Sequence, residues 1–508
     1  MNFNLIIMSK MNLPSNRSTW FLLISLFASC NGFLKIQNRR GVYGMLGIPP
    51  LRPTNIALPP DKWFTQILDH FDPTNTRTWM QRYQVFEHYH VPGGPVFLMI
   101  GGEGEASAKW MVEGAWVDYA KKYKALMFQL EHRFYGKSHP TMDTSVKNLY
   151  YLSSEQALAD LAYFIQAMNS QYKLPTNTKW ITFGGSYPGN LAAWVRFKYP
   201  HLVHASMSAS GPVLAKIDFF EYMDVVKDAL ETHSHSCVEA VQVANSHVNL
   251  LLRHPIGQKS IEKDFRLCDP INADNTNDVA NLLESLAGNF AGVVQYNKDN
   301  RVSRAGLVSN ITIDTLCDIM VNETIGTPHI RYAAVNSLLM AHNNETCLDY
   351  KYDKMIKQLQ NTTWEAAKDG ARTWTYQTCT EFGYFQTAES NQSLFGQDFP
   401  VDFFIKQCAD IFGKQFTKEL LVKAVQRSNT FYGGLDLQAT RVVYVHGSID
   451  PWHALGITKT KIPKSPAIFI NGTAHCANMY PPADTDLPAL TAAREEISAL
   501  IGQWLQEL

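Results

Sequence analysis

Three residues stand where serine chemistry needs them. In "WITFGGSYPGN", Trp180 to Asn190, Ser186 sits between glycines at the end of one apolar run and just ahead of another, "LAAWVRFKYP". A serine hydroxyl is a weak nucleophile until a histidine takes its proton and a carboxylate orients that histidine. Asp450 follows "VVYVHGSI" and His475 follows "AIFINGTA", each just past a strand-like run. Each has a plain alternative: a tight turn for Gly-Gly-Ser, a turn residue before proline for Asp450, a loop histidine for His475. Their joint occurrence in one order argues for nucleophile, acid and base.

That order, Ser then Asp then His, is the one α/β-hydrolase proteins use. The nucleophile turn departs from strict G-x-S-x-G: Gly184 holds the first glycine place, but Pro188 holds the second, with Gly189 after it. Pro188 would fall in the first turn of the next helix, where a missing N–H costs nothing. The backbone N–H of Tyr187 is the expected first donor to a tetrahedral oxyanion. The early turn "GGEGE" would supply the second, from Gly101 or Gly102, and Gly102 is preferred. His446 and His453 are too near Asp450 in sequence for a strand-by-strand triad, so they are expected to line or support the pocket or to face solvent. Glu131, His132 and Arg133 read as a structural ion-pair turn.

The elements around these residues alternate. "GPVFLMIGGEGEAS" and "ALMFQLEHRFYG" are strands running into turns, and "SSEQALADLAYFIQAMNSQY" is helical, capped by Ser153 or Ser154. Strands alternating with helices predict a parallel sheet with helices on its faces. From about Phe219 to Cys408 helical periods dominate; strand-like runs return at Arg441 and Ala467, and a last helix closes the chain. We therefore expect an α/β fold with a large, mostly helical insertion between nucleophile and acid. The expected division is 1–30 signal peptide, 31–214 first α/β part, 215–415 cap and 416–508 second α/β part.

The 508-residue chain carries a formal net charge of -1 and no basic stretch, which excludes a nucleic-acid partner of the usual kind. Lys10 and Arg17 precede "WFLLISLFASC" and small residues, the pattern of a cleaved secretory signal, with a signal anchor as alternative. Met8 and Met11 leave the start open, and no stable membrane span is expected after cleavage. Removing Cys30 leaves seven of the eight cysteines, so at least one thiol is unpaired. None forms a CxxC pair, and no metal or organic cofactor is implied. Sequons at Asn310, Asn322, Asn344, Asn361, Asn391 and Asn471 fit a glycosylated protein of the secretory pathway, extracellular or lysosomal. A homodimer is left open.

"GGEGEAS", "LEHRFYGKSHP", "FGGSYPGNLAAWVRFKYPHLVHASMSASGPV", "YQTCTEFGYFQT", "DPWH" and "GTAHC" together resemble the S28 serine peptidases, from about Phe64 to the final helix. The version of "DPWH" and "HC" is most similar to the thymus-specific type within that family. The resemblance implies an α/β-hydrolase fold with a helical, disulfide-bearing cap, and carries its triad onto Ser186, Asp450 and His475. It also implies the pairs Cys237–Cys317, Cys268–Cys347 and Cys379–Cys408, leaving Cys476 unpaired. The family implies a peptide substrate cleaved after proline; Trp452 and Tyr187, near the triad in sequence, are the candidate walls of a slot for the ring, with packing of Trp452 beneath the loop as core the alternative. Arg133, Lys137 or a protonated His453 would hold a free carboxylate; Glu103 or Glu105 would hold a free amine. An esterase or lipase on the same scaffold, or a catalytically silent binding ectodomain, are the rival readings.

Overall fold

The computed structural model describes residues 46–51, 56–298 and 310–507. The predicted signal, with Cys30, lies outside them. Ten strands are present: β1 Lys62–Ile67, β2 Thr78–Phe86, β3 Val96–Ile100, β4 Leu126–Leu130, β5 Trp180–Gly185, β6 Ala205–Ala209, β7 Lys216–Asp218, β8 Gly383–Phe385, β9 Val442–Gly447 and β10 Ala467–Ile470. Eight form one sheet in the order β1-β2-β4-β3-β5-β6-β9-β10. β1, β2 and β4 pair antiparallel; from β4 to β10 every pairing is parallel.

β3, β4, β5 and β6 are buried at every position. A parallel sheet covered on both faces requires this, which is why these strands read as unbroken apolar runs. Their side chains still alternate. Leu98, Phe128 and Trp180 enter one core, and Phe97, Met99, Ile181 and Phe183 enter the other. The first face is covered by α2 (Ser154–Gln171) and α3 (Tyr187–Lys198), the second by α1 (Ala115–Tyr123) and a long C-terminal helix, Pro488–Gln506. Ser153 caps α2 by accepting the N–H of Gln156 at 3.2 Å.

Among the described residues between β7 and β9, helices dominate and β8 is the one strand. Three of these helices matter for the site: α4 (Thr276–Gln295), α5 (Ala371–Gln377) and α6 (Lys418–Tyr432); the C-terminal helix is α7. A π-helical turn, Thr378–Phe382, follows α5 directly and leads into β8. This region is tied by Cys237–Cys317, Cys268–Cys347 and Cys379–Cys408, while Cys476 is free and buried. Such bonds persist in oxidising compartments, which suggests the secretory pathway. All six sequon asparagines are exposed. Among the described residues, no helix is long and apolar enough to cross a membrane. The helical region docks on the α/β part through aromatic contacts, with Tyr432 of α6 stacked on Trp194 of α3 at 3.8 Å between ring centres.

Candidate active site

β5 runs to Gly185 and breaks at Ser186. Ser186 has φ 65° and ψ −131°, a left-handed region that serine enters only under constraint. Such a conformation costs about 1–3 kcal/mol and persists only where the surroundings over-determine it. Here Ser186 N–H donates to Ala209 O of β6 at 2.9 Å. Its carbonyl accepts from Gly189 and Asn190 at 2.8 and 3.2 Å, starting α3. Pro188 is the second residue of that helix. Gly184 is required by close approach: a Cβ there would lie 2.0 Å from Pro188 O.

Asp450 and His475 follow β9 and β10 and meet directly. His475 Nδ1 lies 2.8 Å from Asp450 Oδ1, and both side chains are buried. The carboxylate only accepts, so Nδ1 carries the proton and Nε2 is left as the basic nitrogen. Burial pushes the Asp450 carboxyl up, but the charge of His475 and hydrogen bonds from His475 and Ser210 hold it net below the ordinary value. Burial disfavours the His475 imidazolium, but the Asp450 charge outweighs it and raises the ring well above its usual value. Asp450 Oδ1 also accepts the N–H of Trp452 at 3.1 Å, which fixes the carboxylate at the head of its own short helical turn.

The histidine loop abuts the serine turn. A Cβ on Gly185 would come within 2.9 Å of Cys476 Sγ. Cys476 Sγ also lies 3.9 Å from Ala209 O, the carbonyl that receives the Ser186 N–H. Cys476 N–H donates to Ser210 Oγ at 2.8 Å, which ties the His475 loop to the end of β6.

The two glycines of the early turn differ. Gly101 N–H is committed to Leu130 O at 2.8 Å and is unavailable to a substrate. Gly102 packs on the nucleophile helix, where a Cβ would lie 2.5 Å from the Pro188 ring. Tyr187, first in α3, has no carbonyl one turn back for its N–H, the ordinary vacancy of a helix start. Glu103, next to Gly102, is buried, and its Oε1 has no hydrogen-bond partner. Burial pushes its carboxyl up to about 7, against a small downward pull from its own backbone and from His475.

Other residues singled out from sequence fall differently. Glu131, His132 and Arg133 do not form one ion-pair turn, because successive residues of an extended segment point apart. Glu131 pairs with Arg82, Arg133 with Asp160 at 2.6 Å, and His132 turns to Tyr187 Oη at 3.0 Å. Arg133 is fully buried and its remaining N–H groups bind carbonyls of Ile67, Leu68 and Tyr151. Lys137 and Glu105 are more than half exposed and lie 3.6 Å from one another. His453 places Nδ1 2.7 Å from Asp450 O and its ring against Phe469. His446 is buried with both ring nitrogens unpartnered. Trp452 is buried between Phe219, Tyr222 and Tyr384, with His475 6.4 Å away between ring centres.

Two contributors were not foreseen. Gln295, at the end of α4, accepts the N–H of His475 on its carbonyl at 3.0 Å, and its Oε1 accepts from Trp452 Nε1 and Tyr222 Oη. Ser210, at φ 49°, ends β6 in "SASGP"; a serine before glycine at a parallel strand end was the available signal.

A mostly parallel sheet with a strained serine at one strand end, and an aspartate and histidine at two others, defines an α/β-hydrolase. The family model for serine carboxypeptidase S28 matches residues 66–497. The chain belongs to that family and is a serine-type peptidase acting on peptides. It is similar to the thymus-specific serine protease of Mus musculus, 35% identical over 462 residues, covering 89% of this chain and 89% of that protein. The lysosomal Pro-X carboxypeptidase of Bos taurus is 26% identical over 468 residues, covering 90% of each. Among solved structures, the proline iminopeptidase of Mycobacterium smegmatis aligns with 87% of this chain and 97% of its own at 12% identity, TM-score 0.37.

Proposed function

We propose that this chain is an exopeptidase of the secretory pathway that cleaves short peptides after proline, with Ser186, Asp450 and His475 as its triad. The observation that carries the triad is the buried 2.8 Å His475–Asp450 pair in a loop that abuts the strained Ser186 turn. Ser186 Oγ attacks the peptide carbonyl as His475 Nε2 takes its proton. The N–H groups of Tyr187 and Gly102 hold the oxyanion. His475 then protonates the leaving amine, which leaves an acyl-enzyme on Ser186. Water, deprotonated by the same nitrogen, releases the second product and restores the serine. Asp450 orients His475 and stabilises its charged form.

A proline ring is short, flat and apolar. The aromatic groups Tyr187, Trp374, Phe382, Tyr384 and Trp452 pack one on the next beside the serine turn, the kind of apolar wall a proline ring would need. The name of the Pro-X carboxypeptidase relative points the same way. For the anchored end, the free-amine reading is favoured. Arg133 and Lys137 are taken by carboxylates, whereas Glu103 keeps one buried oxygen unmatched. The helices of 215–415 would cap the mouth and admit short or unstructured peptide ends. Disulfides and exposed sequons support an extracellular or lysosomal setting.

The test pairs fluorophosphonate labelling of wild type and Ser186→Ala with peptides Xaa-Pro-Yaa-Zaa and longer chains ending in Pro-Xaa, ends free or blocked, and alanine replacing proline. Labelling that needs Ser186, and cleavage lost on blocking the amine alone, is expected. Equal rates for alanine and proline would remove the proline slot. Faster turnover of acyl esters than of any peptide would favour the esterase reading, and no labelling the silent one.

A further inference from the structure

The cap motif "YQTCTEFGYFQT" contributes no triad member, yet it reaches the residue after the nucleophile. Gln377, at the end of α5, donates from Nε2 to Tyr187 Oη at 3.0 Å and to Glu381 Oε2 at 3.2 Å. Its Oε1 accepts from Tyr135 Oη at 2.6 Å. On the far side, Tyr187 Oη lies 3.0 Å from His132 Nε2, and His132 Nδ1 lies 2.7 Å from Arg133 O. Tyr135, Gln377, Tyr187 and His132 are all buried.

Every proton in this set has a determined place. The single proton of Tyr187 Oη goes to the bare Nε2 of His132, so the side of Gln377 facing Tyr187 must be the amide nitrogen. The carbonyl of Arg133 only accepts, so His132 carries its proton on Nδ1 and leaves Nε2 bare. Burial holds His132 neutral by lowering its pKa to about 4, against smaller contributions from Arg133 and Asp160. Tyr187 therefore accepts from Gln377 and donates to His132. The chain runs one way, Tyr135 to Gln377 to Tyr187 to His132 to the Arg133 carbonyl, with no group facing its own kind.

We infer that Gln377 and His132 are positioning residues that clamp the Tyr187 phenol and thereby hold the Ser186–Tyr187 peptide in its strained form. That peptide presents both the nucleophile and the first oxyanion donor, so small displacements there act on turnover. Gln377 belongs to the helical region and His132 to the loop after β4, so the clamp makes catalytic geometry depend on the seating of the cap. The inference rests on Ser186 being the nucleophile.

The test compares Tyr187→Phe, Gln377→Met, His132→Met and His132→Gln in the full chain, by fluorophosphonate labelling rate and by kcat and KM on one peptide. His132→Gln keeps an acceptor; His132→Met keeps none. Tyr187→Phe removes a single oxygen and retains the ring and the backbone N–H. Labelling and kcat are expected to fall about 10- to 100-fold in Tyr187→Phe, Gln377→Met and His132→Met, with KM within about twofold, since misplacement by ~1 Å costs about that much. His132→Gln should recover most of the loss. Wild-type labelling of Tyr187→Phe, or equal loss in the two His132 variants, overturns the clamp. Persistent labelling of Ser186→Ala would instead overturn the nucleophile, so the two failures are distinct.

Discussion

His475 Nδ1 and Asp450 Oδ1 meet at 2.8 Å with neither side chain open to solvent. Burial alone would keep the ring neutral, but the neighbouring charge reverses this and raises its pKa well above the ordinary imidazole value. A general base works only when unprotonated, so kcat/KM rises with pH through the pKa of His475. Asp450→Asn removes the charge, and the rising limb should move to lower pH. Turnover should also fall by about 10⁴, because the amide can stabilise the wrong tautomer. A pH–rate profile with the limb unmoved would show that Asp450 is not the partner of the base.

Glu103 supplies a prediction of opposite kind. Its carboxyl, pushed up to about 7 by burial, ionises as pH rises through that value. A free substrate amine should therefore bind better above pH 7 than below it. Glu103→Gln should raise KM about 10- to 100-fold for peptides with a free N-terminus, the worth of one charge-assisted hydrogen bond. N-acetylated peptides should show no change. Equal effects on both peptide sets would remove Glu103 from amine recognition.

His132 and His446 are both buried, with pKa values lowered to about 4 by burial. Unfolded, each would titrate near 6.5. Between pH 6.5 and 4 the unfolded chain binds more protons, so stability from each ring is full above 6.5 and lost as pH falls toward 4. The loss is about 3 kcal/mol per ring. His446 makes no hydrogen bond in return, so His446→Leu should gain about that much relative to wild type over the same window. Denaturant melts at pH 6.5 and 4 would check it; parallel curves for the two proteins would count against it.

The disulfides should separate stability from activity. Cys237–Cys317 and Cys268–Cys347 close loops of 80 and 79 residues, Cys379–Cys408 one of 29. In the chain-entropy account the longer loops contribute about 4.5 kcal/mol each and the shorter about 3.5. Yet Cys379 lies in the π-helical turn two residues after Gln377. Paired serine substitutions at 379 and 408 should thus cost less stability but more kcat than those at 268 and 347. Melting curves and steady-state assays of the two double variants decide it.

The three residues proposed as the triad could be picked out of the sequence because each lies just past a strand, and a glycine-flanked serine has few other uses. The strands β1, β2 and β6 were not read. β1 and β2 mix glutamine, arginine and threonine among their aromatics, as partly exposed antiparallel strands do. β6 is "ASMSA", with no β-branched or aromatic residue. It must be small because the nucleophile helix lies on it: a Cβ on Gly189 would come within 2.7 Å of Ala209 O. The choice between Gly101 and Gly102 depended on which amide the sheet uses, which is register and not residue type. Gln295 reaches His475 across 180 positions of chain (475 minus 295), and an ordinary helix end gives no sign of it.

β9 begins 233 residues after its sheet neighbour β6 ends (442 minus 209). During translation the nucleophile turn leaves the ribosome long before its base. His475 follows Ser186 by 289 positions (475 minus 186), which at 5–20 residues per second is roughly 15–60 s. Throughout that interval the nascent chain holds Ser186 without His475, the residue proposed to activate it. A polypeptide released before residue 475 carries the Ser186 turn without the histidine proposed as its base. On the proposed triad, activity would begin only when synthesis has nearly ended and the last parallel strands have joined the sheet. On the proposed triad, the placing of the insertion thus ties the start of activity to completion of the chain.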